Sequence, residues 1–136
     1  EKLQIFIDNY PKSNYLSEAN SYIRELQVKL EKKDFEISKQ YYTIRDYKAA
    51  ISSLDNFISN FPGTPFRENA LYYKFISQYE IATNSVPRKK LERLEGAKET
   101  YNAILRYYPE TVYMEDISKK LEEIQNQIQT IKKINT

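Results

Sequence analysis

The sequence predicts an all-α chain, an α-solenoid of stacked helix pairs closed by a terminal capping helix. Three observations point there. The first is a phrase that recurs. It reads Phe6-Ile7-Asp8-Asn9-Tyr10-Pro11-Lys12-Ser13-Asn14-Tyr15 with Glu18-Ala19 behind it. It returns as Phe57-Ile58-Ser59-Asn60-Phe61-Pro62-Gly63-Thr64-Pro65-Phe66 with Glu68-Asn69-Ala70, and as Leu105-Arg106-Tyr107-Tyr108-Pro109-Glu110-Thr111-Val112-Tyr113 with Glu115-Asp116-Ile117. Its prolines lie 51 and then 47 residues apart, a period typical of helical repeat arrays. The second is that apolar residues recur at steps of three, four and seven, with no alternating strand pattern. The third is punctuation: there are only 2 Gly and 5 Pro, and the Pro fall at or beside the joints or at a turn.

The phrase has a mechanical meaning. An aromatic residue and Pro end one helix, because Pro lacks the N–H and disfavours helix in the residue before it. Ser13, Thr64 or Thr111 then offers a capping hydroxyl to the next helix. Glu18, Glu68 or Glu115 follows in the first turn, where a carboxylate suits the positive end of the helix dipole.

Element by element, residues 1–10 read as the tail of a helix. From Asn14 to about Asp46 the apolar residues Tyr15, Ala19, Tyr22, Ile23, Leu26, Leu30, Ile37, Tyr41 and Ile44 fit one long helix, or two that nearly abut around Lys33-Asp34. Tyr47 to Phe61 carries Ala50, Ile51, Leu54, Phe57, Ile58 and Phe61 on one face and stops at Pro62-Gly63. Phe66 to about Thr83 has a wide apolar face of Ala70, Leu71, Tyr73, Phe75, Tyr79 and Ala82. Asn84-Ser85-Val86-Pro87 is a turn, and Pro87 suits the first turn of the helix that follows. That helix runs from about Arg88 to Tyr108 with Leu91, Leu94, Ala97, Tyr101, Ile104, Leu105 and Tyr108 inward.

A last helix begins near Tyr113. Its stripe of Met114, Ile117, Leu121, Ile124, Ile128 and Ile131 is a heptad seam. It reads either as a cap on the preceding pair or as a coiled-coil arm. Helix length argues that residues 113 to about 124 cap the array, that Ile128 and Ile131 overshoot it, and that residues 131–136 fray. The whole chain 1–136 reads as one repeat domain with joints near residues 11, 62 and 109, and as a piece of a longer protein.

Composition narrows the function. A net charge of +2 gives no overall electrostatic case for nucleic acid or an anionic membrane. With no His and no Cys, imidazole and thiol catalysis and the usual zinc sites are excluded. No apolar run of membrane-spanning length occurs. No cofactor, metal or catalytic residue is expected, and an enzyme is not; function belongs on a protein-binding surface. The 13 Tyr against no Trp serve mainly as wide fillers between helices. Glu31 beside Lys32-Lys33, and Glu122-Glu123, read as solvated faces. Arg88, Lys89 and Lys90 with Arg93 form the dense basic cluster. It stands unfavourably at a positive helix end, which raises its value as a meeting point for an acidic partner.

Measured back from Pro62, Ile37 and Tyr41 fall at the first-helix positions of the tetratricopeptide pattern, and Ala50 and Leu54 at its second-helix positions. Asp46-Tyr47-Lys48-Ala49-Ala50 opens the second helix, with small Ala50 where the two cross closely. Ala97, Tyr101, Pro109 and Tyr79 are in register in the last unit, which carries an insertion around Ser85 to Arg93. Ser38 takes the usual small position of the first helix, and the pattern's Trp is absent. The stretch Phe6 to Tyr15, then Glu18-Ala19, Ile23, Leu26, Leu30 and Glu36, closely resembles the BamD family of outer-membrane assembly lipoproteins. So does Tyr41-Tyr42-Thr43-Ile44-Arg45-Asp46-Tyr47-Lys48-Ala49-Ala50 through Phe61-Pro62-Gly63-Thr64. The resemblance covers residues 1 to about 82 well, is looser over 88–117 and is absent from the last helix.

The resemblance implies the C-terminal half of a five-repeat protein on the periplasmic face of the bacterial outer membrane. It implies a lipid anchor upstream of this stretch and no other membrane contact. The implied partners are the POTRA domains of the barrel insertase and unfolded barrel substrates, not nucleic acid. Many members carry an Arg, facing the insertase, three residues beyond the position of Ala50; here that residue is Ser53. That contact does not carry over as it stands, and the candidate partner-binding residues are Arg45, Ser53 and Asn56 on the outer surface with the basic cluster of Arg88, Lys89, Lys90 and Arg93. An alternative is another periplasmic repeat adaptor for envelope or cell-wall complexes. A small hydrolase on a helical frame is the third reading, which the missing His and Cys disfavour.

Overall fold

A computed structural model describes residues 14–135, and these form five α-helices with no strand among them. They are α1 (Asn14–Thr43), α2 (Tyr47–Asn60), α3 (Arg67–Thr83), α4 (Pro87–Tyr107) and α5 (Met114–Asn135). The helix tail expected at residues 1–10, the joint at Pro11 and the Ser13 cap lie outside the described residues. The stretch from Asn14 is one uninterrupted helix, not two.

The two described joints are built alike. Phe61 (φ −132°, ψ 67°) and Tyr108 (φ −137°, ψ 69°), each followed by Pro, are pulled out of helical geometry in the same way. Each still gives its N–H to the helix it ends, at Phe57 and Ile104. The threonines act differently from the expected caps. Thr64 Oγ1 accepts from Phe66 N–H at 3.2 Å and Thr111 Oγ1 accepts from Tyr113 N–H at 3.3 Å, two residues on in both cases. They fix the turn that leads into the helix, one step before its first turn. Asp46 does cap α2, accepting from Ala49 N–H at 3.3 Å. Val86 is extended before Pro87, which takes the first turn of α4.

The helices pack as two antiparallel pairs, α1/α2 and α3/α4, and α5 lies beside both α3 and α4. Helix α3 touches all four others, which accounts for its wide apolar face. Around it the main core gathers Leu71, Phe75, Ile76, Leu94, Ala97, Ile104, Ile117 and Ile124. A second cluster of Phe35, Ala50, Leu54, Phe57 and Ala70 closes the first pair on the second. Ala50 is fully buried at this crossing. Ser38 and Ser53 share a hydrogen bond of 2.7 Å across the α1–α2 seam, where small residues let the two backbones approach. Lys74 of α3 pairs with Asp55 of α2 at 2.8 Å.

Three sequence expectations shift. Ile37 and Tyr41 are exposed, and it is Phe35, Ser38 and Tyr42 that α1 packs against α2 and α3. The Ile37 side, with Tyr15, Tyr22, Leu26 and Leu30, faces away from α2 and α3, the side on which a preceding pair lies in a stacked array. Glu31 is buried rather than solvated and accepts from Gln27 Nε2 at 2.8 Å.

Finally, the stripe of α5 is a cap along more of its length than expected. Ile117, Ile124 and Ile128 are buried, Leu121 and Ile131 pack at the margin, and the helix continues to Asn135 without fraying at Ile131. The reason is length. Helix α4 has 21 residues, about 31 Å at 1.5 Å per residue, so it supports α5 well past residue 124.

Candidate protein-interaction surface

The candidate residues divide over two flanks and one end of the stack. Helix α2 sets the division, since residues advance about 100° per position. Its inward line is Ala50, Leu54 and Phe57. Ser53 lies on the α1 flank, half-buried against Ser38, and exposed Asn56 follows one turn later on the outer side. Ile51 lies on the opposite flank, toward α4. There the backbones of α2 and α4 stand apart, and the gap between them over α3 is a recess of about 220 Å³. Lys48, Ile51, Gln78, Ile81, Arg93 and Gly96 line it. Arg93 is held there by Ser85, its Nη1 donating to Ser85 Oγ at 2.8 Å. Ser85 in turn donates to the Ile81 carbonyl at 2.6 Å, so the turn braces the guanidinium. Gln78 Oε1 is buried in this region without a hydrogen-bond partner among the described residues.

Arg45 sits at the tip of the α1–α2 turn. Asp46 N–H returns to the Tyr41 carbonyl and Arg45 N–H to the Tyr42 carbonyl, both at 2.9 Å. This is a Schellman closure, whose turning position usually holds Gly. Arg45 occupies it with φ 64°, the single non-Gly residue with positive φ among those described. Arg88 and Lys89 are exposed and Lys90 half-buried on the first turn of α4. The structure thus separates Ser53 and Asn56 from Arg93 and gathers Arg45, Arg88, Lys89 and Lys90 at the turn end.

Sequence reasoning missed Lys48 and the recess it shares with Arg93. It also missed a polar seam between α3 and α5. Asn69 donates to Tyr113 at 2.6 Å, Tyr72 donates to Asp116 at 2.7 Å, and Tyr79 donates to Glu123. Each pair is 44 residues apart, so α3 and α5 run parallel as equivalent helices of successive units. The constant offset, close to the proline spacing, was the available signal. Tyr72 and Tyr113 stack at 3.8 Å, and Lys120 joins the seam by pairing with Asp116 at 2.8 Å. Burial, and then the bond to Asp116, push the Tyr72 hydroxyl well above its ordinary pKa. Burial alone would raise the Asp116 carboxyl. The bonds from Lys120 and Tyr72 outweigh it and hold the group below its ordinary 3.8.

Among the described residues no group of three or more acidic side chains is placed to hold a metal ion, and no helix is long and apolar enough to cross a membrane.

The family model described as YfiO, outer membrane lipoprotein, matches residues 1–86 and again residues 31–131. Two relatives are each called outer membrane protein assembly factor BamD. The one from Buchnera aphidicola is 28% identical over 88 residues, 65% of this chain and 36% of its own. The one from Caulobacter vibrioides is 28% identical over 88 residues, 65% of this chain and 28% of its own. The matched stretch therefore spans about a third of each relative. The residues matched, the repeated aromatic–Pro joint and the stacked pairs lead to one assignment: the chain belongs to the YfiO outer membrane lipoprotein family, proteins of the periplasmic side of the outer membrane.

Proposed function

We propose that this chain is a non-catalytic scaffold of the outer-membrane β-barrel assembly machinery, docking the insertase's POTRA domains and unfolded barrel substrates on its helical-repeat surfaces. The observation that carries the reading is the family match over most of the chain, with two assembly factors among its relatives. The structure supports it physically: rigid paired helices present flanks with exposed polar residues and a recess, which suits protein recognition. The contacts are assigned to Ser53 and Asn56 on the α1 flank, to Arg93 beside Lys48 in the recess, and to the rim formed by Arg45, Arg88, Lys89 and Lys90. Ser53 is too short to reach outward, and its hydroxyl is engaged by Ser38. A partner on this flank therefore meets a shallow surface, and the reading moves the charged contact to Arg93.

The test is affinity purification of the complete protein from cell envelopes, followed by the Asn56→Arg and Arg93→Glu variants. The expected result is that the barrel insertase copurifies and that at least one variant lowers its recovery. Recovery of cell-wall or other envelope complexes without the insertase would overturn the reading in favour of a different adaptor.

A further inference from the structure

The end of the stack that carries the α1–α2 and α3–α4 turns has properties that docking a protein does not require. Helices α1 and α3 lie side by side, and each turns back into an antiparallel partner, so both turns stand at one end. Lys48 and Arg93, one from just beyond each turn, line the same recess there. Residues 44–48 and 84–93 supply Arg45, Lys48, Arg88, Lys89, Lys90 and Arg93 against Asp46 and Glu92: six cations to two carboxylates. None of the six has a carboxylate partner among the described residues. The opposite end is reversed. Residues 60–68 and 107–116 supply Arg67 against Glu68, Glu110, Glu115 and Asp116.

Between the cations each turn projects an aliphatic side chain into solvent. Ile44 is 60% exposed and Val86 57%. Helix α5, parallel to α3, points its last turn the same way, with Ile134 77% exposed. The conformation of Arg45 adds to the pattern, since a position that favours Gly instead keeps a charged side chain at the tip.

We propose that this end is a lipid-contact edge, with Arg45, Lys48, Arg88, Lys89 and Lys90 on the phosphates of an anionic phospholipid leaflet and Ile44 and Val86 in the acyl boundary beneath them. An exposed aliphatic alone does not set this end apart, since Val112 at the acidic end is 85% exposed; its coincidence here with cations that have no carboxylate partner among the described residues matches the interfacial pattern of apolar anchors plus electrostatic attraction. A protein interface of this size instead concentrates its apolar residues in one central patch. Each basic residue near an anionic surface strengthens partition about fivefold, so several together suffice for measurable binding without an anchor. The inference rests on family membership, which puts a phospholipid leaflet at hand, and not on docking to the insertase. It narrows the proposed function: Ser53, Asn56 and Arg93 remain for protein, and the tip residues go to lipid.

The test is co-sedimentation of the 136-residue chain with vesicles of phosphatidylcholine alone or mixed with phosphatidylglycerol, at low and high salt. The expected result is at least tenfold tighter binding to the anionic vesicles, lost at high salt. Arg88→Glu with Lys89→Glu and Lys90→Glu should abolish that preference. Ile44→Ser with Val86→Ser should weaken binding severalfold while leaving its salt dependence. The exposed pair Lys32→Glu and Lys33→Glu, away from this end, should change little, and circular dichroism checks that every variant folds. Equal binding to both vesicle types, or no loss on reversing Arg88, Lys89 and Lys90, overturns the proposal. If that reversal spares vesicle binding but removes the insertase from the purification, the edge belongs to an acidic protein. Asn56→Arg separates the two readings, since it should disturb insertase recovery and not vesicle binding.

Discussion

Truncating Ile128 to Ala should destabilise the fold by about 2–3 kcal/mol. The side chain is 8% exposed and packs with Ile124 and partly buried Ile131 in the core that α3 and α4 share with α5. Buried Ile→Ala changes cost about 2–5 kcal/mol through lost transfer energy and the cavity left behind. Ile128 lies toward the end of its helix, where neighbours relax, so the lower half of that range applies; the better helix propensity of Ala returns about 0.4 kcal/mol. For a chain this size total stability is about 7–20 kcal/mol, and each kcal/mol moves the melting temperature by roughly 3–5 °C. A fall of about 6–15 °C by circular dichroism is therefore expected, with a matching drop in urea midpoint. Exposed Gln129→Ala, the neighbouring control, should stay within about 0.5 kcal/mol of the parent. If Ile128→Ala is as silent as Gln129→Ala, the second half of α5 is an arm and not a cap.

The Ala50→Leu change inserts bulk where Ala50 is fully buried beside Phe35 and Leu54, and should cost about 1–3 kcal/mol; an unchanged melting temperature would remove Ala50 from the crossing. Ser53→Ala should cost about 1 kcal/mol by leaving the buried Ser38 hydroxyl unpaired, while adding Ser38→Ala should recover part of the loss; strictly additive effects in a double-mutant cycle would show that the 2.7 Å bond contributes nothing. Asp116, held below its ordinary 3.8, supports the fold when ionised, and that support is lost as pH falls through its folded value. Asp116→Asn should thus be less stable than the parent at pH 7, with the gap closing from about pH 5 downward, and a gap constant with pH would mean that the charge is immaterial.

What was legible in the sequence was whatever rests on local rules. Pro62 and Pro109 end helices because of their own geometry, Asp46 caps because a short carboxylate reaches the N–H three residues on, and Pro87 starts a helix because it has no N–H to lose. Ala50 was readable because a small residue in an apolar line predicts a close crossing. The failures came from pairing. Ile37 and Tyr41 satisfy a helical period as well as Phe35, Ser38 and Tyr42 do, and only the position of α2 decides which line is covered. Glu31 reads as surface until the fold buries it. The candidate site was partly legible. The cations were visible as a run, but Lys48, far from them in sequence, shares a recess with Arg93 only because α2 and α4 flank the same gap.

Net charge misleads for the same reason. A value of +2 is nearly neutral, and a nearly neutral protein gives no electrostatic case for a charged partner. That inference averages over distance, whereas screening over about 10 Å means a partner senses only the end it approaches. Two antiparallel pairs send every first-to-second-helix turn to one end and every joint to the other. Arg45 and Arg88–Lys90 then add at one end, while Glu68, Glu110 and Glu115 add at the other. The charge that matters thus belongs to a class of turn and not to the chain, and it becomes visible only when residues are grouped by the end of the helix they occupy.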